Sequence, residues 1–277
     1  MNLKRFLARI LPPFIADACR KLLYGSNRSY GYFGDYPSWS AAEAASSGYD
    51  SDVIIEKVRD ALLAVKSGKA VYERDSVCFD RIEYAWPLLS MLLWIASRGG
   101  NRLNIIDFGG SLGSTYFQNR AFLSHIEGLK WNIVEQKKFV DCGIKYFQDE
   151  KLKFYYDIAS CAAVEKPPVI LLSSVIEYIE RPYLLLKSIL DEGFEYIIID
   201  RTKFYDAPDR ITVQRVPPNI YEASYPCWIF NRKKFLAFFE PGYELVADFE
   251  ALGGELDVEG IRSRHEGYVF KKRTVSK

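Results

Sequence analysis

Leu103–Arg120, LNIIDFGGSLGSTYFQNR, is the stretch on which the reading of this chain turns. Its first half, Leu103 to Phe108, is a short apolar run with no polar alternation, the pattern of a strand buried on both faces of a parallel sheet. An acid and glycines follow. Asp107, Gly109, Gly110 and Gly113 fall where a strand turns sharply into a helix, and glycine there brings backbone close to a ligand with no Cβ in the way. Spacing narrows the ligand. A dinucleotide fingerprint ending at Gly113 needs glycine where Phe108 stands, and a phosphate-binding P-loop needs a Gly-Lys-Ser/Thr that is absent here. What remains is D-x-G-x-S-x-G, from Asp107 through Ser111 to Gly113, with Glu135 closing the next apolar run, Trp131 to Val134.

Outward from this stretch the pattern is a regular alternation. A helix is expected over Leu112–Ser124, a strand over Trp131–Glu135, a helix over Lys138–Phe147, and strands over Leu152–Tyr156 and Val169–Ser173. A helix at Arg181–Leu190, a strand at Tyr196–Asp200 and a helix at Arg232–Phe239 follow, and Tyr243–Phe249 with Gly267–Lys272 end the chain as an antiparallel edge pair. Strands alternating with helices make right-handed crossovers in a parallel sheet. The long connection 201–231 is too apolar and aromatic for disorder and is read as a cover over the substrate site.

Towards the N-terminus, Ser26–Asp52 is turn-rich and aromatic, an irregular cap with one short helix from Trp39 to Ser46 that Ser38 can cap. Helices are expected over Asp52–Ser67 and from near Asp80 to Ser97, the second with a break before Pro87 or a kink, Pro87 starting its long apolar part. Its apolar run, Ala85–Ala96, is short for a membrane span and suits a helix packed on the sheet. Residues 2–23 carry an apolar face (Leu3, Phe6, Leu7, Ile10, Leu11, Phe14) with Lys4, Arg5 and Arg9 elsewhere on the wheel. Docking on the domain and peripheral contact with an anionic inner leaflet are both open for it. The division expected is a helical N-terminal extension or cap, 1–98, and a cofactor-binding domain, 99–277.

Composition sets further bounds. A chain of 277 residues with net charge +1 (37 Lys+Arg against 36 Asp+Glu) buries a sizeable core and presents no global field for nucleic acid. Five scattered cysteines without C-x-x-C, and only two histidines, argue against a zinc cluster; their odd number fits a reducing, cytoplasmic compartment better than a disulfide framework.

Read together, GGSLGSTYFQNR, WNIVEQ, LLSSVIEYIERPYLLL, EYIIIDRT and IYEASYPCW make the chain resemble the class I S-adenosylmethionine-dependent methyltransferases, and within them a group found among bacterial genes for surface polysaccharide, including O-antigen and capsule. The resemblance implies a Rossmann-like three-layer α/β sandwich with a seven-stranded, mostly parallel sheet in the order 3-2-1-4-5-7-6. It also implies S-adenosylmethionine as cofactor with S-adenosylhomocysteine as product, and a glycan precursor, carried on a nucleotide or a lipid, as acceptor; the methylated atom stays open between a hydroxyl or phosphate-type oxygen and an amine, with O-methyl transfer expected first.

Residue by residue, the resemblance implies that Gly109, Gly110, Ser111 and Gly113 form the cofactor loop and that Glu135 holds the ribose hydroxyls, a task for which a carboxylate is suited because it accepts two hydrogen bonds from a cis-diol. Asp107 would orient the loop or meet the methionine amino group, or else cap the following helix. Asp157 would lie near the adenine or act as a helix N-cap, and Ser173 and Ser174 end the strand beside the transferred methyl. A hydroxyl acceptor needs a base at the carboxyl edge of the sheet; Asp200 is the first choice, with Glu177, Asp209 and His265 behind it. Tyr178, Arg201, Arg210, Tyr221, Tyr225 and Trp228 are the expected acceptor-pocket residues. Serines where a hard cation would want acids argue against a metal. Two other classes compete: a non-catalytic module of the same fold that binds a nucleoside-containing ligand or a membrane-assembly partner, and an NAD-linked sugar dehydrogenase, which Phe108 disfavours.

Overall fold

A computed structural model describes residues 30–48, 51–74, 76–217, 220 and 223–274. The segment 2–23 and Tyr221 lie outside the described residues.

In chain order the elements are β1 (Gly31–Tyr36), α1 (Trp39–Ala44), α2 (Ser51–Lys66), the hairpin β2 (Tyr72–Arg74) and β3 (Val77–Phe79), α3 (Trp86–Arg98), β4 (Arg102–Phe108), α4 (Ser114–Leu123), β5 (Gly128–Val134), α5 (Lys137–Tyr146) and β6 (Leu152–Tyr155). There follow α6 (Ile158–Glu165), β7 (Val169–Ser173), a short turn of 3-10 helix (Ile176–Tyr178), α7 (Pro182–Glu192), β8 (Tyr196–Tyr205), β9 (Arg210–Arg215), β10 (Ser224–Asn231), α8 (Arg232–Ala237), β11 (Tyr243–Val258) and β12 (Ile261–Lys272).

The central sheet runs β6-β5-β4-β7-β8-β12-β11. Its first five strands are parallel, and β12 and β11 close it antiparallel. This is the expected order 3-2-1-4-5-7-6. Alternation along each buried strand feeds two layers. Ile105, Trp131, Leu171 and Ile198 face a core built with Leu62, Leu88, Leu92 and Phe147, whereas Ile106, Ile170, Leu172 and Ile199 face one built with Leu186, Ile189 and Phe235. Helices therefore cover both faces, and β7 is buried at all five positions. Of the two expectations for this stretch the break holds: α3 begins at Trp86 with Pro87 in its first turn, where its missing N–H falls at a position with no intrahelical bond due. No helix among the described residues is long and apolar enough to cross a membrane.

Two expectations change. The connection 201–231 is not a loop: β8 continues past Asp200 to Tyr205, and β9 and β10 form an antiparallel pair that joins β8 through the parallel contact Phe230↔Phe204. The stretch expected to be irregular supplies β1, which pairs with β9. The result is an extension sheet, β1-β9-β10, at the carboxyl end of β8. Ser38 caps α1 as expected, accepting from the Ala41 N–H at 3.2 Å, and Ala42 packs the helix onto Ile211 and Val213. The hairpin of β11 and β12 is longer than expected and reaches this sheet. Its tip buries Val258 against Tyr205 and Ile229, and Glu259 takes Arg210 Nη2 at 2.5 Å and the Gly34 N–H at 3.2 Å.

Candidate functional site

The turn after β4 is held by its own backbone. The Gly109 N–H reaches the Val134 carbonyl at 2.9 Å, and Gly109, Ser111 and Gly113 adopt φ of +70°, +54° and +105°. A Cβ at Gly109 would stand 2.3 Å from Val175 Cγ2, and one at Gly110 2.6 Å from the Asp107 carboxyl. The chain itself, not only a ligand, requires glycine here. Gly113 ends the turn as the N-cap position of α4, with no side chain capping it, so Asp107 does not cap that helix.

Asp107 instead lies beneath the turn, 1 % exposed, and accepts the Trp131 Nε1–H at 2.9 Å. Burial pushes its carboxyl up to about 7, against the Trp131 hydrogen bond and the charge of Arg201. Because this value lies above the ordinary 3.8, the folded state binds the proton more tightly than the unfolded one. Stability is then present at low pH and lost as pH rises from about 4 to about 7, by roughly 4 kcal/mol at most. Asp107→Asn, whose amide oxygen still accepts from Trp131, is expected to flatten the dependence. Urea unfolding at pH 5 and pH 8 checks this, and a wild-type protein with equal stability at both would contradict it.

Glu135 follows β5 directly. Burial raises its carboxyl, opposed by the backbone N–H groups of Gln136, at 2.6 Å, and Ser111. The acid is thereby tied to the glycine turn. Asp157 is exposed and caps α6, accepting the Ser160 N–H at 2.7 Å. Ser173 Oγ donates to Asp200 Oδ2 at 2.6 Å and accepts from Arg201 Nε at 3.2 Å, while Ser174 takes φ +54°.

Asp107, Gly109, Gly110, Ser111, Glu135, Asp157, Ser173 and Ser174 all line one cavity of about 1590 Å³. A single small-ligand site holds roughly 300–1,000 Å³, so this cavity is larger than one small ligand needs. It is also lined by Tyr178, Arg201, Lys203, Tyr225 and His265, with Tyr32 and Gln214 from the extension sheet.

Other expected residues stand behind these walls. Asp200 is 1 % exposed, its Oδ1 without a hydrogen-bond partner among the described residues, screened by Ser173 and Arg201. Burial raises its carboxyl, opposed by Arg201 and Ser173. Glu177 is fully buried and paired with Lys203 Nζ at 2.9 Å. Asp209 is taken up by Tyr183, the Asn231 N–H and Lys234, Arg210 by Gly34 and Glu259, and Trp228 donates to the Ile179 carbonyl while stacking on Trp39. None of these three lines the cavity, because their polar groups are taken up by neighbours in the extension sheet, the β11–β12 tip and the flanking helices and turns.

His265 is different. Its Nδ1 lies 3.2 Å from the Gly254 carbonyl, which assigns the proton to Nδ1 and leaves Nε2 as an acceptor. Burial, then the charges of Lys203 and Arg201, lower it to about 4 against the Gly254 hydrogen bond, so the ring is neutral at physiological pH.

Tyr32 and Gln214 were not among the expected residues. The alternation in RITVQR was the available signal for a strand that turns Gln214 to one face, and GYFGDY carried the same signal weakly between its glycines.

No family model and no curated protein matches the sequence. Solved structures resemble it in shape. The N-terminal domain of EvdMO1, in the presence of SAH and D-fucose, is 11 % identical with a TM-score of 0.47 over 81 % of this chain and 98 % of that one. The glycopeptide N-methyltransferase MtfA complexed with sinefungin is 10 % identical, TM-score 0.44, over 66 % and 92 %. A S-adenosylmethionine-dependent methyltransferase from Clostridium acetobutylicum ATCC 824 is 8 % identical, TM-score 0.43, over 68 % and 92 %.

Proposed function

We propose that the chain is a S-adenosylmethionine-dependent methyltransferase that acts on a hydroxyl of a surface-glycan precursor. The observation that carries this reading is the continuity of one cavity, lined both by the Gly109–Ser111 turn with Glu135 and by the neutral His265. Its volume suits a nucleoside donor beside an acceptor. The residues at and around the turn fit such a donor. Glu135 is a half-buried carboxylate facing the cavity and would take the two ribose hydroxyls. Asp107 and the turn would meet the amino-acid end, where a cation stabilises the ionised carboxylate that burial disfavours. Tyr156, Asp157 and Ile158 would border the base.

When bound, the donor supplies a methyl group on a sulfonium with a neutral leaving group. The chain's part is mainly to hold the acceptor oxygen in line with that methyl, since alignment alone accounts for much of the rate in such a displacement. His265 would accept the hydroxyl proton at Nε2. Its depressed basicity keeps it unprotonated across the physiological range, whereas Asp200 and Glu177 lie behind Ser173 and Lys203.

A thermal-shift panel with S-adenosylhomocysteine, NAD, NADP and nucleotide sugars tests the reading. The first ligand at 100 times its dissociation constant should add about 2.7 kcal/mol of stability and the dinucleotides nothing. His265→Gln should keep that shift yet lose transfer of labelled methyl to fractionated glycan precursors by at least about 100-fold. A shift with NAD alone, or undiminished transfer by His265→Gln, would refute the assignment.

A further inference from the structure

A line of hydrogen bonds starts inside the protein and ends at the cavity wall. Glu177 and Lys203 are 0 % and 1 % exposed in their side chains and meet at 2.9 Å. Lys203 Nζ also donates to Tyr178 Oη at 3.2 Å and lies 5.0 Å from the ring centroids of both Tyr32 and Tyr178. An ammonium has donors only, so the Tyr178 oxygen accepts from it and the Tyr178 proton must go elsewhere. It goes to Gln214 Oε1, at 2.7 Å. This fixes the orientation of the Gln214 amide. Oε1 is used inside, and the two N–H donors of Nε2 remain, without a partner among the described residues, on a side chain that lines the cavity.

The backbone places rings on either side of that amide. In the extension sheet Gln214 is directly opposite Tyr32 on β1 and directly opposite Tyr225 on β10. Cross-strand partners in antiparallel pairs point to the same face with Cβ atoms about 5 Å apart, and all three side chains line the cavity. Tyr178 closes the row edge-on to Tyr225, with ring centroids 5.5 Å apart. The row is therefore ring, amide donor, ring. Burial pushes the Tyr32 hydroxyl up to about 12, so it too remains a protonated donor.

We propose that Tyr32, Gln214 and Tyr225 form the acceptor platform, with Gln214 Nε2 donating to an oxygen of a pyranose ring that lies between the two tyrosines, and that Lys203 and Glu177 are positioning residues that set the amide's orientation through Tyr178. A sugar matches this chemistry: its axial C–H faces pack on aromatic rings, and its hydroxyl and ring oxygens accept from an amide. The inference rests on the methyltransferase reading for its place in a reaction, but its binding chemistry can be tested apart from the donor.

The test is saturation-transfer NMR on the full chain with methyl glucopyranoside, methyl galactopyranoside and methyl mannopyranoside as probes, with and without S-adenosylhomocysteine. Wild-type protein should transfer saturation to the ring protons of at least one of the three. Gln214→Glu, nearly isosteric but carrying no donors, and Tyr225→Ala should each weaken that binding at least about tenfold. Both should keep the wild-type affinity for S-adenosylhomocysteine, which serves as the check that they fold. Unchanged transfer in Gln214→Glu, or none to any probe in wild-type protein, would overturn the platform. Wild-type protein that binds a glycoside but not S-adenosylhomocysteine would overturn the donor assignment and leave the platform standing.

Discussion

Lys203→Met is expected to cost the fold about 3–5 kcal/mol, because it strands the Glu177 carboxylate in the interior without its cation. The pair has almost no contact with solvent, and Glu177 Oε2 already lacks a hydrogen-bond partner among the described residues. Burial alone would lower Lys203, yet the Glu177 carboxylate packed against it holds its ammonium well above the ordinary range. Removing both charges should be far milder. In Lys203→Met/Glu177→Leu no buried ion remains, and apolar replacements of similar volume are often neutral for stability. Urea unfolding of the single and double variants measures the difference. A single variant within about 1 kcal/mol of wild type would mean that solvent reaches Glu177 and that the pair is not sealed as described.

The second large effect concerns the donor. Glu135→Ala removes the acid that the glycine turn holds against the cavity. Two hydrogen bonds from a cis-diol to a charged acceptor contribute about 1.5–3 kcal/mol each. The variant regains part of that, because wild-type Glu135 is itself held at a cost in a poorly solvated position. A net loss of about 3 kcal/mol, or roughly 100-fold in the dissociation constant, is expected. The fold should survive, since the side chain's recorded hydrogen bonds are to the neighbouring backbone at Gln136 and Ser111.

What the sequence made legible follows from where burial and pattern agree. Val169–Ser173 was read with its true bounds, and Leu103–Phe108 and Trp131–Val134 to within a few residues, because strands covered on both faces are apolar without interruption. The strand beyond Asp200 was missed for the converse reason. Arg201 and Lys203 look like solvent-facing charges; a pairing of Asp200 with Arg201 could be weighed from their adjacency, but the buried partner of Lys203, Glu177, comes only with the fold. Asp200 was expected at a strand end but lies within β8, and its side chain turns into the wall beside Ser173, a matter of orientation that spacing does not encode. The glycines of the turn were found for a reason that proved incomplete, since Val175 and Asp107 occupy the space their Cβ atoms would need. Tyr32 and Gln214 come together only through a pairing of strands about 180 residues apart in sequence, which no local pattern foretells.

Calorimetric titration of S-adenosylhomocysteine into wild-type protein and Glu135→Ala tests the central claim most directly. The account predicts saturable one-to-one binding to the wild type and an affinity about 100-fold weaker in the variant. Equal affinity in the two proteins, or no binding to either, would contradict it.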